Sequence, residues 1–311
     1  MKRDLLTLLD LNKDEFNSIL EKGKAYKNEA ITGNLSQPLK GKTLGMIFSK
    51  TSTRTRLSFE VGMHQLGGYA IYNNRNDLQL DHGESIKATA KILSLYLDGI
   101  LIRTYDQKEI VELAKSAEIP VINGLTDSYH PCQILSDVFT IKERFHDLSN
   151  INVVYVGDGN NICNSLFNGA ALGGFSFTAC TPDLYAPSNE TVLNAQKIQK
   201  ENFGDSFSIK LSSNPVESVK NAHVIYTDTW ISMGMEEEKE KRLKDFKGFQ
   251  VNKELLSHCK ENYVVMHCLP AHENEEITPD VLESENSIVY TQAKNRLYVQ
   301  KAILNFLLSN K

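Results

Sequence analysis

Cysteine is scarce in this chain. Five residues, Cys132, Cys163, Cys180, Cys259 and Cys268, are scattered over 311 positions with no CxxC pair. An odd, unpatterned set does not build a disulfide framework and fits reduced thiols in a cytoplasmic setting. Long apolar runs are missing too, so no segment reads as a membrane span. The opening Met1-Lys2-Arg3-Asp4-Leu5-Leu6 soon meets Asp10, Lys13, Asp14 and Glu15, which suits neither a secretory signal nor a transit peptide. Excess positive charge is absent: net charge is −5 and the pI is near 5.9, which argues against a general nucleic-acid binder. Two cofactor signatures are incomplete. His267, Cys268 and His272 follow no usual zinc spacing. Gly157-Asp158-Gly159-Asn160-Asn161 starts like a dinucleotide fingerprint, but Ile162 stands where the third glycine belongs and Asp183 comes late for a ribose ligand. No metal and no cofactor is expected.

What is present suits a globular protein. Hydrophobic residues make up 41% and charged residues 23%, and the length accommodates two domains. Apolar runs of strand length alternate with helical patterns. Strands are expected at 43–48, 69–72, 99–103 and 121–123, then at 151–156, 177–181, 209–211, 223–227, around 263–268 and at 287–290. This alternation predicts an α/β protein of two domains, each a mostly parallel sheet flanked by helices on both faces. A boundary is expected near His146–Asn150, giving domains 1–148 and 149–291. The helix from Gln292 to Leu308, within a tail of about 292–311, should dock back on the body of the protein. In such sheets ligands gather at the carboxyl ends of the strands.

Several of those ends carry chemistry. Ser52-Thr53-Arg54-Thr55-Arg56 sits where the first strand turns into a helix. Hydroxyls, guanidinium forks and the N–H groups of a new helix together favour an anion; the plain alternative is an Arg-bearing N-cap on a solvated helix. Arg103 ends another strand. His130-Pro131-Cys132-Gln133 opens a helix, Pro131 suiting its first turn and His130 and Gln133 flanking it as neutral donors; alone, it reads equally as a capped helix with an incidental histidine. The segment 73–85 is long and polar, as functional loops often are. Asp228 ends a strand and leads into a loop of small residues, the makings of an ammonium site. A tight turn explains the glycines at 157 and 159 but not the paired Asn160 and Asn161. The charge run from Glu236 to Lys244 reads as a solvated helix face.

In chain order, Ser-Thr-Arg-Thr-Arg at 52–56, His-Pro-Cys-Gln at 130–133, Asp-Thr-Trp-Ile-Ser-Met-Gly at 228–234 and His-Cys-Leu-Pro-Ala at 267–271 resemble the aspartate/ornithine carbamoyltransferase family. The likeness covers essentially the whole chain, and the last two motifs resemble its ornithine branch. The resemblance implies transfer of a carbamoyl group from carbamoyl phosphate to the δ-amine of L-ornithine, giving L-citrulline and phosphate, as in arginine biosynthesis. It implies carbamoyl phosphate binding by Ser52, Thr53, Arg54, Thr55, Gln79, Arg103, His130, Gln133, Cys268, Leu269 and Arg296. Ornithine would meet Asn161, Asp228, Ser232 and Met233. A homotrimer, or a multiple of trimers, with shared sites is implied, Gln79 reaching a neighbour. Two positions depart from the family pattern: His82, and Glu273-Asn274 where Arg-Gly is common.

With no Ser/His/Asp or Cys/His dyad evident, direct attack without a covalent enzyme intermediate is expected. Arg54 and Arg103 would hold the phosphate, and His130, Arg103 and Thr55 would polarise the carbonyl. Asp228 would take the α-ammonium and Asn161 the α-carboxylate. Cys268 stands open between contact with the amine and a structural thiol. Two domains suggest closure that excludes water. The competing readings are a carbamoyltransferase for another amine, such as putrescine or an acylated ornithine, and a non-catalytic binding or assembly relative. The intact Asn161 and Asp228 oppose the first. Intact Arg54, Arg103, His130, Gln133 and Arg296 oppose the second.

Overall fold

The computed structural model describes residues 2–79, 83–232 and 234–309. Two compact units emerge, one of Met1–Phe139 with Lys294–Lys311 and one of Thr140–Ala293. The expected boundary at His146–Asn150 falls in the turn between the fifth helix and the fifth strand.

In the first unit, strands β1 Thr43–Phe48, β2 Tyr69–Asn74, β3 Gly99–Arg103 and β4 Val121–Leu125 form a parallel sheet in the order β2-β1-β3-β4. Helices α1 Lys13–Thr32, α2 Thr53–Gln65, α3 Ile86–Tyr96, α4 Gln107–Ser116 and α5 Pro131–Phe145 follow in chain order. β3 is buried at every position and β1 at all but its first, as a parallel sheet covered on both faces requires. Ile47, Ala90, Ile100, Ile102, Ile110 and Leu113 form one buried cluster beneath α3 and α4. α1 starts with an Asn12–Glu15 capping box and stops at Gly33, whose φ of +76° is the left-handed cap glycine adopts freely. The N-terminus adds a single rung to β4: Leu5 N donates to Val121 O and Asn123 N to Leu5 O, at 2.9 and 2.8 Å.

The second unit has β5 Asn152–Val156, α6 Asn161–Gly173, β6 Ser176–Cys180, α7 Asn189–Phe203, β7 Ile209–Ser212, α8 Pro215–Val219, β8 Val224–Thr227, α9 Lys239–Asp245, α10 Lys253–Leu256, β9 Val264–His267 and α11 Pro279–Leu282. Its parallel sheet runs β7-β6-β5-β8-β9. α6 is buried on most of its surface, from Ile162 to Leu172, as a helix with apolar residues all round must be. On the other side Val154, Ile225, Val265, Trp230, Phe246 and Val281 belong to one core.

The last expected strand is not one. Ser287 makes an isolated bridge to Val265, and Val289 already begins α12, which runs Val289–Leu308. Ile288 N reaches Val265 O at 3.0 Å, and Gln292 N then turns back to Ile288 O at 2.8 Å. A short run of β-branched and aromatic residues is the kind that pattern alone cannot divide between strand and helix. Within the first unit α12 is tied down by Lys27 Nζ to Asn295 Oδ1 at 3.0 Å and Lys301 Nζ to Gln65 Oε1 at 3.3 Å. In the 73–85 segment β2 runs on to Asn74, and Arg75–Asp77 forms a single 3-10 turn capped by the Asn74 side chain. His82 lies outside the described residues.

The two sheets share one feature. In each, the chain leaves the first strand (β1 or β5) toward one side and later returns to pair on its other side, so neighbouring connections diverge at β1/β3 and β5/β8. Right-handed crossovers then send the connections to opposite faces, and a crevice opens at the carboxyl ends.

Gly159 sits in the turn after β5, packed against the 185–187 segment. A Cβ there would lie 2.4 Å from Tyr185 O and 2.6 Å from Pro187 N, both backbone atoms. Gly159→Ala should therefore destabilise the second unit by about 1–3 kcal/mol, as overpacking does. Calorimetry would register this as a lowered thermal transition; a transition matching the wild type would mean the 185–187 segment moves without penalty.

Candidate active site

In the first unit the last rung before β1 and β3 part is Ser49 N to Arg103 O, at 2.8 Å. Beyond it the chain turns into α2. Ser52 is the N-cap, in extended conformation, and its Oγ accepts from Thr55 N at 3.1 Å. This satisfies one of the orphan donors of the first turn, and helix starts offer the others to an anion. Thr53 is exposed and Arg54 half-buried at this mouth. Thr55 is buried, and its Oγ1 accepts from Arg296 Nη2 at 2.8 Å. Arg103, His130, Gln133 and Arg296 are all buried as well.

His130 is held neutral. Burial drives its pKa well below the ordinary histidine value, and the charges of Arg296 and Arg103 add to the effect. A neutral imidazole donates one N–H and adds no charge to a site already rich in guanidinium. Gln133 is a donor as expected, its Nε2 donating to Asp137 Oδ1 at 2.9 Å, while its buried Oε1 has no hydrogen-bond partner among the described residues. The amide thus also offers an acceptor. Cys132 is buried, its thiol pushed up to about 12 by burial, and it donates to Asn123 O at 3.4 Å; it is a packing residue.

Lys50 escaped the sequence reading. It is buried, its ammonium pairs with Asp127, and it lies 4.0 Å from the Tyr105 ring centroid. It ties the turn after β1 to the loop that leads from β4 to His130. Its place two residues before Ser52 was the available signal. Gln79 stands apart: it is exposed, and no hydrogen bond or ion pair among the described residues joins it to this group.

In the second unit the corresponding crevice is organised by Asn160. Its Oδ1 caps α6, accepting from Ile162 N at 3.0 Å and Cys163 N at 3.2 Å, and its Nδ2 donates to Asp228 Oδ2 at 2.7 Å. The Cys268 thiol donates to the other oxygen, Oδ1, at 3.0 Å. Neither partner carries a charge, so Asp228 is oriented by them without being neutralised. Asn161, half-buried, begins α6 itself. The paired asparagines thus divide their work, and Asn160, noted in the sequence but given no role there, does the clamping. Ser232 is half-buried and its carbonyl accepts from Met235 N at 3.0 Å. Met233 lies outside the described residues. Leu269 follows β9 with φ of +59°.

The charge run is not wholly a solvated face. Arg242 within it is buried; its Nη1 donates to Asp158 Oδ2 at 3.0 Å and to Trp230 O at 2.8 Å. Burial outweighs the Arg242 charge and pushes Asp158 up to about 6. Arg242 thereby links the turn after β5 to the loop after β8. The departure at Glu273-Asn274 is accommodated: Asn274 has φ of +66°, a conformation glycine suits best and asparagine tolerates. Among the described residues two groups of potential metal ligands occur, Asp228/His267/Cys268 and His272/Glu275/Glu276, and both contain members engaged by other protein groups. His267 uses both ring nitrogens, toward Leu269 N and Glu276, and Glu275 pairs with Lys239.

The neutral His130 has a consequence for acid stability. Unfolded histidine titrates near about 6.5, whereas folded His130 titrates well below. Above that pH both states are neutral at this position. As pH falls, only the unfolded chain takes up the proton, so stability drops from about pH 6.5 downward until the folded pKa is reached. His130→Asn should flatten this acid limb. Thermal midpoints for both proteins at about pH 8 and about pH 5.5 measure it, and equal losses in the two would refute the assignment.

Comparison with known proteins agrees with this geometry. Residues 3–143 match the family model described as aspartate/ornithine carbamoyltransferase, carbamoyl-P binding domain. Residues 149–307 match the aspartate/ornithine carbamoyltransferase, Asp/Orn binding domain. The ornithine carbamoyltransferase of Oceanobacillus iheyensis is 50% identical over 308 residues, 99% of this chain and 95% of that protein. The anabolic ornithine carbamoyltransferase of Pyrococcus furiosus is 50% identical over 302 residues, 97% of this chain and 95% of that one. Among solved structures, the Pyrococcus furiosus ornithine carbamoyltransferase superposes with a TM-score of 0.95 at 49% identity, covering 99% of this chain and 98% of that one. The anabolic enzyme of Campylobacter jejuni gives 0.91 at 39% identity, with 99% of both chains covered. Matched in both halves, and half-identical to relatives along nearly its whole length, the chain belongs to the aspartate/ornithine carbamoyltransferase family.

Proposed function

We propose that this enzyme transfers the carbamoyl group of carbamoyl phosphate to the δ-amine of L-ornithine, giving L-citrulline and phosphate by direct attack. The observation that carries the reading is the opposite charge of the two crevices. One gathers buried guanidinium groups around a neutral histidine, and the other presents Asp228 hydrogen-bonded, among the described residues, by the neutral Asn160 amide and Cys268 thiol. In this scheme the domain 1–148, with the C-terminal helix of about 292–311, takes carbamoyl phosphate, and the domain 149–291 takes ornithine. Ser52, Thr53, Arg54, Thr55, Arg103 and Arg296 hold phosphate, with charge-assisted forks suited to its oxygens. His130 and Arg103 donate to the carbonyl as negative charge develops there. Gln133 Oε1 accepts from the carbamoyl NH2, which needs acceptors; Cys268 and Leu269 are further contacts. Asp228 takes the α-ammonium, Asn161 the α-carboxylate, and Ser232 and Met233 border the amino acid. Holding two reactants in line can supply roughly 7–11 kcal/mol of the barrier.

A homotrimer belongs to the same proposal. What fits it is a set of exposed apolar residues in the first unit, Leu57, Val61, Ile71, Ile92, Leu95 and Tyr96, which a subunit contact would cover. A head-to-tail contact closes into a ring under three-fold symmetry. A cytoplasmic site fits five cysteines that are all free. A role in arginine biosynthesis fits the relatives named anabolic.

A citrulline assay with carbamoyl phosphate tests the central claim, comparing ornithine, putrescine and N-acetylornithine; turnover confined to either of the last two would displace it. Asp228→Asn should raise the ornithine Kd by at least tenfold and leave carbamoyl phosphate within about threefold, because losing a charge-assisted contact costs about 1.5–3 kcal/mol. Titration of each ligand decides, and equal weakening would make Asp228 structural. Gln79→Ala and Arg54→Ala should each be inactive alone. Mixed under conditions that exchange subunits, they should regain activity, since some sites would then carry neither lesion. Mixed trimers that form yet recover nothing, or a monomeric mass, would sink the shared-site scheme.

A further inference from the structure

The turn after β9 is built over a buried carboxylate that the scheme above leaves without a role. The side chains of His267 and Glu276 have no exposed surface, and His267 Nε2 lies 3.0 Å from Glu276 Oε1. On the other side of the ring, Leu269 N donates to His267 Nδ1 at 2.8 Å. A backbone N–H can only donate, so Nδ1 must carry the lone pair and Nε2 the proton. Glu276 therefore receives Nε2–H, and the tautomer is fixed. The same Oε1 also accepts from His272 N at 2.6 Å, so one oxygen holds both limbs of the loop. Between those limbs lie Cys268, whose thiol reaches Asp228, and Leu269, whose φ of +59° is a conformation that L side chains rarely adopt. Such a backbone persists only where its surroundings determine it. A buried ionic group is by itself a poor source of stability, and here its hydrogen bonds through Oε1 go to the loop's own backbone and to the His267 imidazole, while Oε2 lies 3.8 Å from His272 Nδ1 of the same loop.

We propose that Glu276 and His267 are positioning residues for the reaction: Glu276 fixes the His267 tautomer, His267 fixes the Leu269 N–H, and the Leu269 carbonyl is thereby set against the carbamoyl group. This rests on the reading that Leu269 meets carbamoyl phosphate. The chain of contacts predicts which substitutions matter. The side-chain oxygen of asparagine takes the place of Nδ1, so His267→Asn keeps an acceptor for Leu269 N–H while releasing Glu276. Glutamine places its polar atoms nearer Nε2, so His267→Gln keeps the Glu276 contact and loses the Leu269 one.

Steady-state kinetics at saturating ornithine, with inorganic phosphate as inhibitor, provide the test. His267→Gln should raise the carbamoyl phosphate KM at least tenfold, and His267→Asn less than threefold. The phosphate inhibition constant should stay within twofold in both, because phosphate lacks the group that Leu269 contacts. Glu276→Gln, still an acceptor for Nε2–H, should stay near the wild type, whereas Glu276→Ala should behave like His267→Gln. Nitrogen NMR of the imidazole should report the Nε2-protonated tautomer in the wild type and a mixture in Glu276→Ala. Equal effects of the two histidine variants, or a parallel shift in phosphate inhibition, would reduce the pair to scaffolding. Should Glu276→Ala fail to fold, the histidine variants alone decide. A wild type that makes no citrulline would refute the proposed activity itself, before any variant is compared.

Discussion

Both crevices depend on one constraint: two neighbouring parallel strands must part where the order of the sheet reverses. A strand inside the sheet spends its backbone groups on its neighbours. At the divergence that pairing stops, after Ser49 N–Arg103 O in one unit and beside Thr227 Oγ1, which donates to Val156 O at 2.7 Å, in the other. Past these rungs the chain has only helix starts to offer, and helix starts carry orphan N–H groups. Ser52 and Asn160 each cap such a start, and each lies within a few residues of the side chains assigned to ligands. The chemistry collects there because the parting strands leave their carboxyl ends open to a ligand.

From that common base the two units take opposite electrostatic courses. The first buries Arg103 and Arg296 and keeps His130 neutral beside them, so the field favours an anion. The second surrounds Asp228 with an amide and a thiol, which orient a charge without cancelling it. Pairing by itself would not have achieved this. Asp158 shows the point: it bonds Arg242 at 3.0 Å, yet burial still pushes it up to about 6. Desolvation outruns attraction when both partners leave water. Exposed pairs such as Lys197–Glu201, 3.9 Å apart and largely solvated, contribute at most about 1 kcal/mol and shape nothing in either crevice.

What sequence made legible was local. Apolar runs of strand length, and hydroxyls alternating with arginines on one turn, announce themselves within a dozen residues, and so the sheets and the helix start at Ser52 could be read directly. What stayed hidden were partners separated along the chain. Arg296 reaches Thr55 across 241 positions, Lys50 reaches Asp127 across 77, and Asn160 reaches Asp228 across 68. No periodicity encodes such pairs. Lys50 and Arg242 were hidden for a further reason: a charged residue in a polar stretch reads as solvated, and only the fold reveals that it is buried. Ile288-Val289-Tyr290 misled in the other direction, since strand-forming residues there begin a helix whose burial overrides their propensity.

The same geometry bears on how the carbamoyl group moves. A covalent route would need a nucleophile, and the thiols are the only soft candidates. Cys132 is buried and pushed up to about 12, too weakly acidic to supply thiolate near neutrality. Cys268 sits nearer the chemistry, but its sulfur lies 3.0 Å from Asp228 Oδ1. Losing its proton would set two negative charges against each other and remove one of the two bonds that orient Asp228. The thiol therefore serves the site better as a neutral donor than as a nucleophile. Its contact is to the carboxylate that would take the α-ammonium, which fits the proposed scheme in which the amine of the second substrate attacks the carbamoyl carbon itself.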